Sequence, residues 1–357
     1  MSAGEERTPL SYTSAGVSIE AGDRAVELMR GWVEQTHRPE VRGGLGGFAG
    51  LFDAAALKAY DAPLLATSAD GVGTKVMVAQ RMDRHDTVGI DLVAMLVDDL
   101  VVCGAEPLFM TDYIACGRVV PERTAAIVKG IAHGCVLAGC ALLGGETAEH
   151  PGLLEPDEYD LAGSTTGVVE AAQLLGPGLV QDGDAVVALA SSGLHSNGYS
   201  LVRQVFDTAG WQLDREVPEL GKALGAELLE PTTIYAKACL QLARSTQTHA
   251  MAHITGGGLG ANLARALPAG LTARVDRATW RPQPIFGIIQ QLGNVELADL
   301  ESTLNMGVGM AALVASSDAD RAVRLFADAG VSAWVCGEVS TAAYDGAPAV
   351  ELVSQYA

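Results

Sequence analysis

Apolar positions along the chain recur first at helical and then at strand spacing, and the alternation divides it into two halves. Over 20–36, Ala25, Leu28, Met29, Trp32 and Val33 predict a helix with one apolar face. The glycine-rich string RGGLGG follows at 42–47. Strands are predicted over 64–69, 108–115, 140–143 and 161–169. Helices are predicted over 87–103, closed by Gly104 with Pro107 beyond, and from Pro121 to about 139. The stretch AAQLLGPGLVQDGD (171–184) is rich in turn residues and marks the crossing, giving domains 1–172 and 173–357. In the second half, strands over 184–190, 249–254, 271–276, 307–315 and 333–339 alternate with helices over 197–209, 231–244, 259–267, 283–292 and 317–329.

Composition narrows the class. Hydrophobic residues make up 49% of 357, enough for substantial cores. The 42 glycines exceed the usual share of about 7% and lie in short clusters, which suits tight loops near a ligand as well as ordinary turns. A net charge of -20 argues against a nucleic-acid partner, because neutralising a phosphate backbone needs clustered Lys and Arg. A small nucleotide substrate stays open, since metal ions screen its phosphates. The six cysteines show neither CxxC nor zinc spacing, which suits a reducing, cytoplasmic setting. The first ten residues lack the apolar centre of a signal peptide, and no uncharged apolar run is long enough to span a bilayer, so no membrane role is expected.

The chemistry-bearing candidates lie in a few segments. The helix GIDLVAMLVDDLVVCGA (89–105) is apolar nearly all round, so it should be buried, yet it carries Asp91, Asp98 and Asp99. Buried carboxylates need a cation or strong hydrogen bonds, so Mg²⁺ ligation and structural pairing both stay open. Asp70 ends a strand at DGVGTK, where Lys75 is placed to reach a phosphate; a turn aspartate and a surface lysine are the ordinary alternative. No Walker A spacing occurs. GGLGG (43–47) and GGETAE (144–149) read as loops offering N–H groups to phosphates. SSGLHSNGYS (191–200) leads into a helix that Ser196 or Asn197 can cap, with His195 as a proton carrier. HITGGGLGAN (253–262) matches GxGxxA, with Asp276 after the next strand, so a dinucleotide site for NAD or FAD is open on spacing alone. Asn305 lies before a glycine-flanked strand, where it suits either a turn or a contact to a substrate amide.

Taken together, SYTSAGVSIEAGD, RPEVRGGLGGF, DGVGTK, HDTVGIDLVAM, DDLVVCGAEPLF, GGETAE, SSGLHSNGYSLVR, HITGGG, GNVE and NMGVGM resemble, in order, the strings of the phosphoribosylformylglycinamidine cyclo-ligase family over about residues 11–340. That ordered match outweighs the dinucleotide reading. The resemblance implies a mixed α/β, two-domain ATP-binding fold. In it the N-terminal sheet pairs into a β-barrel across a homodimer, beside a C-terminal α/β domain. It implies ATP-dependent ring closure of formylglycinamidine ribonucleotide with ATP and Mg²⁺. By carry-over, Asp70, Asp91, Asp98 and Asp99 would hold Mg²⁺. Gly43, Gly44, Gly46, Gly47, Asp70, Gly71, Gly73, Thr74 and Lys75, with Gly144, Gly145, Glu146 and Thr147, would contact ATP. Ser192, Gly193, His195, Ser196, Asn197 and Gly198, with Thr255, Gly256, Gly257, Gly258 and Asn305, would face the ribonucleotide. Lys75, His195 and His253 would serve the chemistry, the histidines in proton transfer. The chain departs from the family at Asp98, where Asn is frequent, and at His150, Leu304 and Met306.

Overall fold

A computed structural model describes residues 16–44, 46–342 and 349–357. The first residues of the SYTSAGVSIEAGD string and Leu45 of the glycine loop lie outside the described residues. The first half comprises α1 (Ile19–Glu34), β1 (Pro63–Gly71), α2 (Val76–Met82), α3 (Val88–Val101), β2 (Glu106–Cys116), α4 (Pro121–Ala138), β3 (Ala141–Glu149) and β4 (Tyr159–Glu170). Its four-stranded sheet has the order β1-β4-β2-β3, with β2 and β3 parallel and the other pairs antiparallel. Helices α1, α3 and α4 cover one face. On the other face Leu65, Thr67, Ala69, Thr111 and Tyr113 are exposed.

Local chemistry sets these elements. The Ser18 hydroxyl accepts from Ala21 N–H and opens α1. Pro121 starts α4 and Gly139, in the left-handed conformation, ends it. Helix α3 is buried at every position but two, Ile90 and Asp99, and crosses α4 at Gly89 and Gly130. A Cβ on Gly89 would fall 2.4 Å from the Ile127 carbonyl oxygen, so only glycine permits this approach.

The second half comprises β5 (Ala185–Ala190), α5 (Tyr199–Thr208), α6 (Ala236–Ser245), β6 (Thr248–His253), α7 (Gly258–Arg265), β7 (Leu271–Asp276), α8 (Pro284–Gly293), β8 (Val308–Val314), α9 (Ala319–Asp328), β9 (Ala333–Thr341) and β10 (Ala349–Val353). Its six-stranded sheet has the order β6-β8-β5-β9-β7-β10 and is antiparallel except for β7 with β10.

Three expectations are corrected. Only Ala25, Met29 and Val33 of α1 face the core; Leu28 and Trp32 point outward, and the Trp32 ring lies 5.5 Å under the Lys129 ammonium. GGETAE is not a loop. It continues β3, where Gly144–Glu149 pair with Thr111–Cys116 of β2. The dinucleotide reading fails on topology, because β6 and β7 stand at positions separated by three strands, whereas a dinucleotide βαβ unit needs parallel neighbours. Asp276 instead accepts from Ala278 N–H at a turn.

Candidate active site

Helix α3 runs between the two sheets, and its acids meet the second half in two different ways. Near its start, Asp91 Oδ1 accepts from Lys75 Nζ at 2.9 Å and from the Thr232 N–H and hydroxyl at 2.7 Å each. Lys75 Nζ also donates to the carbonyls of His195 (2.9 Å) and Glu230 (2.6 Å). An ammonium has three N–H donors, so all of them are engaged, and both side chains of the pair are wholly buried. Two turns on, Asp98 accepts from Tyr235 N–H at 3.0 Å, next to the first turn of α6.

These contacts turn three of the candidate residues inward. In this structure Lys75, Asp91 and Asp98 point inward, toward each other and the second half. All three clasp the two halves together. Their partners, Thr232 and Tyr235, escaped the sequence reading because nothing in their local pattern shows which distant carboxylate they meet.

Burial pushes Asp98 up to about 7, against the pull of His253 and the Tyr235 N–H. Between an ordinary carboxyl's 3.8 and about 7, the folded chain therefore keeps a proton that the unfolded chain has released. The stability tied to that proton is complete below the lower value. It is lost as pH rises through the window, by up to about 1.4 kcal/mol per pH unit. Asp98→Asn keeps an oxygen for the Tyr235 N–H and has no charge to bury. We expect it to fold, to melt higher than the parent at pH 8 and to show a flatter stability profile between pH 5 and 7. Thermal and urea unfolding across that range measure it, and parallel profiles for the two proteins would contradict it.

Asp99 is the acid of α3 that stays exposed, its side chain 46% accessible. It accepts from His253 Nδ1 at 2.9 Å, and Asp70 lies beside the pair. Burial opposes the proton on His253, but the Asp99 bond and the charges of Asp98, Asp99 and Asp70 outweigh it and raise its pKa. Asp70 is raised above its ordinary value by burial first, which the Gly71 N–H opposes, with Asp99 adding a smaller repulsion. A carboxylate whose neighbour is a second carboxylate fits a cation shared between the two. Among the described residues no group of three or more His, Cys, Asp and Glu gathers in metal geometry. Mg²⁺ keeps several waters and takes most other ligands from phosphate, so two carboxylates would suffice as its protein ligands.

Loops of the second half border this cluster. Asn197 Oδ1 accepts from Gly256 N–H at 3.1 Å, joining the SSGLHSNG and TGGG loops. Asn262 holds the glycine loop from beneath, its Nδ2 donating to the carbonyls of Thr255, Gly256 and Gly258. It was not singled out from the sequence, although a buried polar residue one turn into a helix is a signal for such a pin. His195 has φ +58° and is 2% exposed, with Nε2 accepting from Ser192 N–H and Nδ1 without a partner. Burial, then His253 and Lys75, push its pKa well below the ordinary value, so it stays neutral. A Cβ on Gly309 would strike Tyr235 Oη and His195 Cε1 at 2.1 and 2.5 Å, so this strand glycine makes room for both rings.

Other candidates turn inward. Asn305 Oδ1 accepts from the Ser191 hydroxyl and Gly307 N–H, and its Nδ2 donates to the Gly193 carbonyl. Ser192 donates to the Pro231 carbonyl, and Ser196 meets Thr232. Gly43, Gly44, Gly46 and Gly47 stay exposed, far from any close packing, and Glu146 is exposed on β3.

Two family models match the chain: AIR synthase related protein, N-terminal domain, over 52–169, and the C-terminal domain of the same description over 181–346. A phosphoribosylformylglycinamidine cyclo-ligase from Geobacillus kaustophilus is 52% identical over 334 residues, covering 93% of this chain and 96% of the relative. The chain belongs to the phosphoribosylformylglycinamidine cyclo-ligase family. Solved structures share the fold at lower identity. Thiamine-monophosphate kinase from Stenotrophomonas maltophilia aligns with TM-score 0.68 and 19% identity, covering 94% of this chain and 97% of that one. Hydrogenase maturation protein HypE in complex with ATP aligns with TM-score 0.66 and 15% identity, covering 95% and 93%. Family membership thus agrees with the ordered strings of the sequence, and the clasp by Lys75, Asp91 and Asp98 is the structural frame on which this member's cleft is built.

Proposed function

We propose that this enzyme closes the imidazole ring of formylglycinamidine ribonucleotide, using ATP and yielding aminoimidazole ribonucleotide, ADP and phosphate. The identity to named cyclo-ligases over nearly the full chain carries the reading. The Asp70–Asp99–His253 cluster beside the two glycine loops supports it. The chemical difficulty is a formyl amide whose oxygen is a poor leaving group. In the proposed course that oxygen attacks the γ-phosphorus of ATP, the bond to ADP breaks, and an O-phosphorylated imidate results. The amidine nitrogen then adds to the imidate carbon, inorganic phosphate departs with the C–O bond, and loss of a proton from nitrogen leaves the aromatic ring. Positioning and charge compensation dominate such chemistry. Mg²⁺ held by Asp70 and Asp99 would screen the phosphate charges. His253, whose proton Asp99 favours, is placed to offset developing negative charge. His195, kept neutral with Nε2 accepting from Ser192, carries its proton on Nδ1 and is suited to donate a hydrogen bond from there.

The exposed face of the N-terminal sheet supports a homodimer, since a sheet with apolar and aromatic side chains on a bare face seeks a cover. The cysteines are free thiols, as a reducing cytoplasm would leave them, and no helix is long and apolar enough to cross a membrane. The division into domains 1–172 and 173–357 is supported by the two separate sheets. Colorimetric detection of the aminoimidazole product tests the reading. Product should form only when the ribonucleotide, ATP and Mg²⁺ are all present. ATP consumption without ring closure would overturn the proposal.

A further inference from the structure

A cavity of about 710 Å³ lies between α2 of the first half, α5 of the second and residues 211–214. It stands at the far ends of those helices from the cleft. The Thr74 and Ser200 hydroxyls meet near their starts, whereas Arg81 pairs with Asp207 near their ends, Nη1 to Oδ1 at 3.0 Å. Val78 and Met82 of α2 give the cavity an apolar wall. Phe206 and Trp211 add two aromatic rings with centroids 5.6 Å apart, and the Arg215 guanidinium lies over the Trp211 ring at 4.2 Å. Arg203 of α5 lines the same cavity. A guanidinium has five N–H donors. Among the described residues Arg203 nevertheless makes a single side-chain hydrogen bond, to the weak acceptor Met77 Sδ, and no ion pair. Its Nε is buried with no partner. Asp207 cannot serve it, because both oxygens of that carboxylate go to Arg81. In a chain of net charge -20, a half-buried guanidinium left without a carboxylate marks a place for an anion from outside.

We propose that this cavity is a second ligand site, separate from the cleft, that takes a nucleoside monophosphate, with Arg203 on the phosphate and Trp211 against the base. The site does not depend on the reaction assigned to the cleft. Pockets for small molecules run from about 300 to 1,000 Å³, so this one holds a base, a sugar and a phosphate together. One free guanidinium matches one phosphoryl group, since its planar fork meets two phosphate oxygens at once. Arg81, already paired, adds no second anion site that a diphosphate would need. The aromatic rings suit the face of a heterocycle, which stacks on indole whatever its edge pattern. Asp214, exposed at the same cavity, offers carboxylate oxygens to the hydroxyls of a ribose. The walls come from both halves of the chain, so a bound ligand would also brace the junction between them.

Titration of adenosine monophosphate into the full chain tests the site, with the cleft held by a non-hydrolysable ATP analogue and Mg²⁺. Calorimetry and tryptophan fluorescence both read it. The parent should bind adenosine monophosphate at one site per chain. Ribose 5-phosphate, which lacks the ring, and adenosine, which lacks the phosphate, should each bind about tenfold more weakly or worse. Arg203→Met should weaken the monophosphate by about tenfold to a hundredfold, the effect of losing hydrogen bonds to a charged group, and leave adenosine unaffected. Arg203→Lys, which keeps the charge without the fork, should fall between the two. Trp211→Leu should weaken adenosine and its monophosphate alike by about tenfold and leave ribose 5-phosphate unaffected. Parental affinity for the monophosphate in Arg203→Met, with circular dichroism showing a folded protein, would overturn the inference. So would absence of binding to the parent by both readouts, or ribose 5-phosphate binding as tightly as the monophosphate.

Discussion

Lys75→Met is expected to destabilise the protein by about 3–5 kcal/mol, because it leaves a wholly buried carboxylate without its cation. Asp91 would keep the two bonds from Thr232, but the carbonyls of His195 and Glu230 would each lose a donor. Those carbonyls belong to the second half, whereas Lys75 and Asp91 belong to the first, so the loss falls on the junction that shapes the cleft. Turnover should also fall, since the carbonyl of His195 helps hold that residue in its left-handed conformation. The double variant Lys75→Met/Asp91→Leu separates the two effects. Replacing a buried pair by apolar side chains is often close to neutral for stability. The double variant should therefore recover most of the urea-unfolding midpoint while kcat stays low. A single variant within about 1 kcal/mol of the parent, or a double variant with parental kcat, would show that the lysine neither clasps nor positions.

Asp99→Asn should lower kcat/KM by about a hundredfold to a thousandfold, with little change in the unfolding midpoint. The two readouts diverge for a physical reason. Asp99 is half exposed, so its charge contributes little to the fold, but it is both a proposed Mg²⁺ ligand and the partner that favours the proton on His253. The amide keeps the shape and removes both electrostatic roles. Steady-state kinetics at several Mg²⁺ concentrations would show the apparent affinity for the metal falling along with kcat. Asp70→Asn should reproduce the metal effect with a smaller influence on His253, which Asp70 touches only through charge. Activity within about threefold of the parent in both variants would contradict the shared-cation reading.

The elements were legible because their signals are local. The predicted strand over 271–276 coincides with β7, and the helix over 259–267 differs from α7 by a residue or two at each end. The misses have causes as specific. GGETAE reads as a loop because glycine and charge disfavour strands, yet parallel pairing with the buried β2 draws it into β3. The GxGxxA spacing mimics a dinucleotide fingerprint because any strand-to-helix turn that exposes N–H groups wants glycines, whatever strand order surrounds it. Strand β10 went unseen because AVELV is too short and too mixed to announce itself before β7 offers it an edge.

The candidate site divides in the same way. Amino-acid order alone marked α3 as a buried helix carrying three acids, marked the glycine loops, and through ten ordered strings placed the chain in its family. The helix and the loops follow from composition and spacing, which act over a few residues, whereas the family follows from the resemblance of the strings. Only tertiary structure decided which acid does what. Asp91 and Asp98 turn inward to Lys75, Thr232 and Tyr235, and Asp99 turns outward to His253 and Asp70. A helix that is apolar all round carries no signal of which side a distant segment will cover. The roles of its carboxylates are therefore set by contacts made across more than a hundred residues of chain.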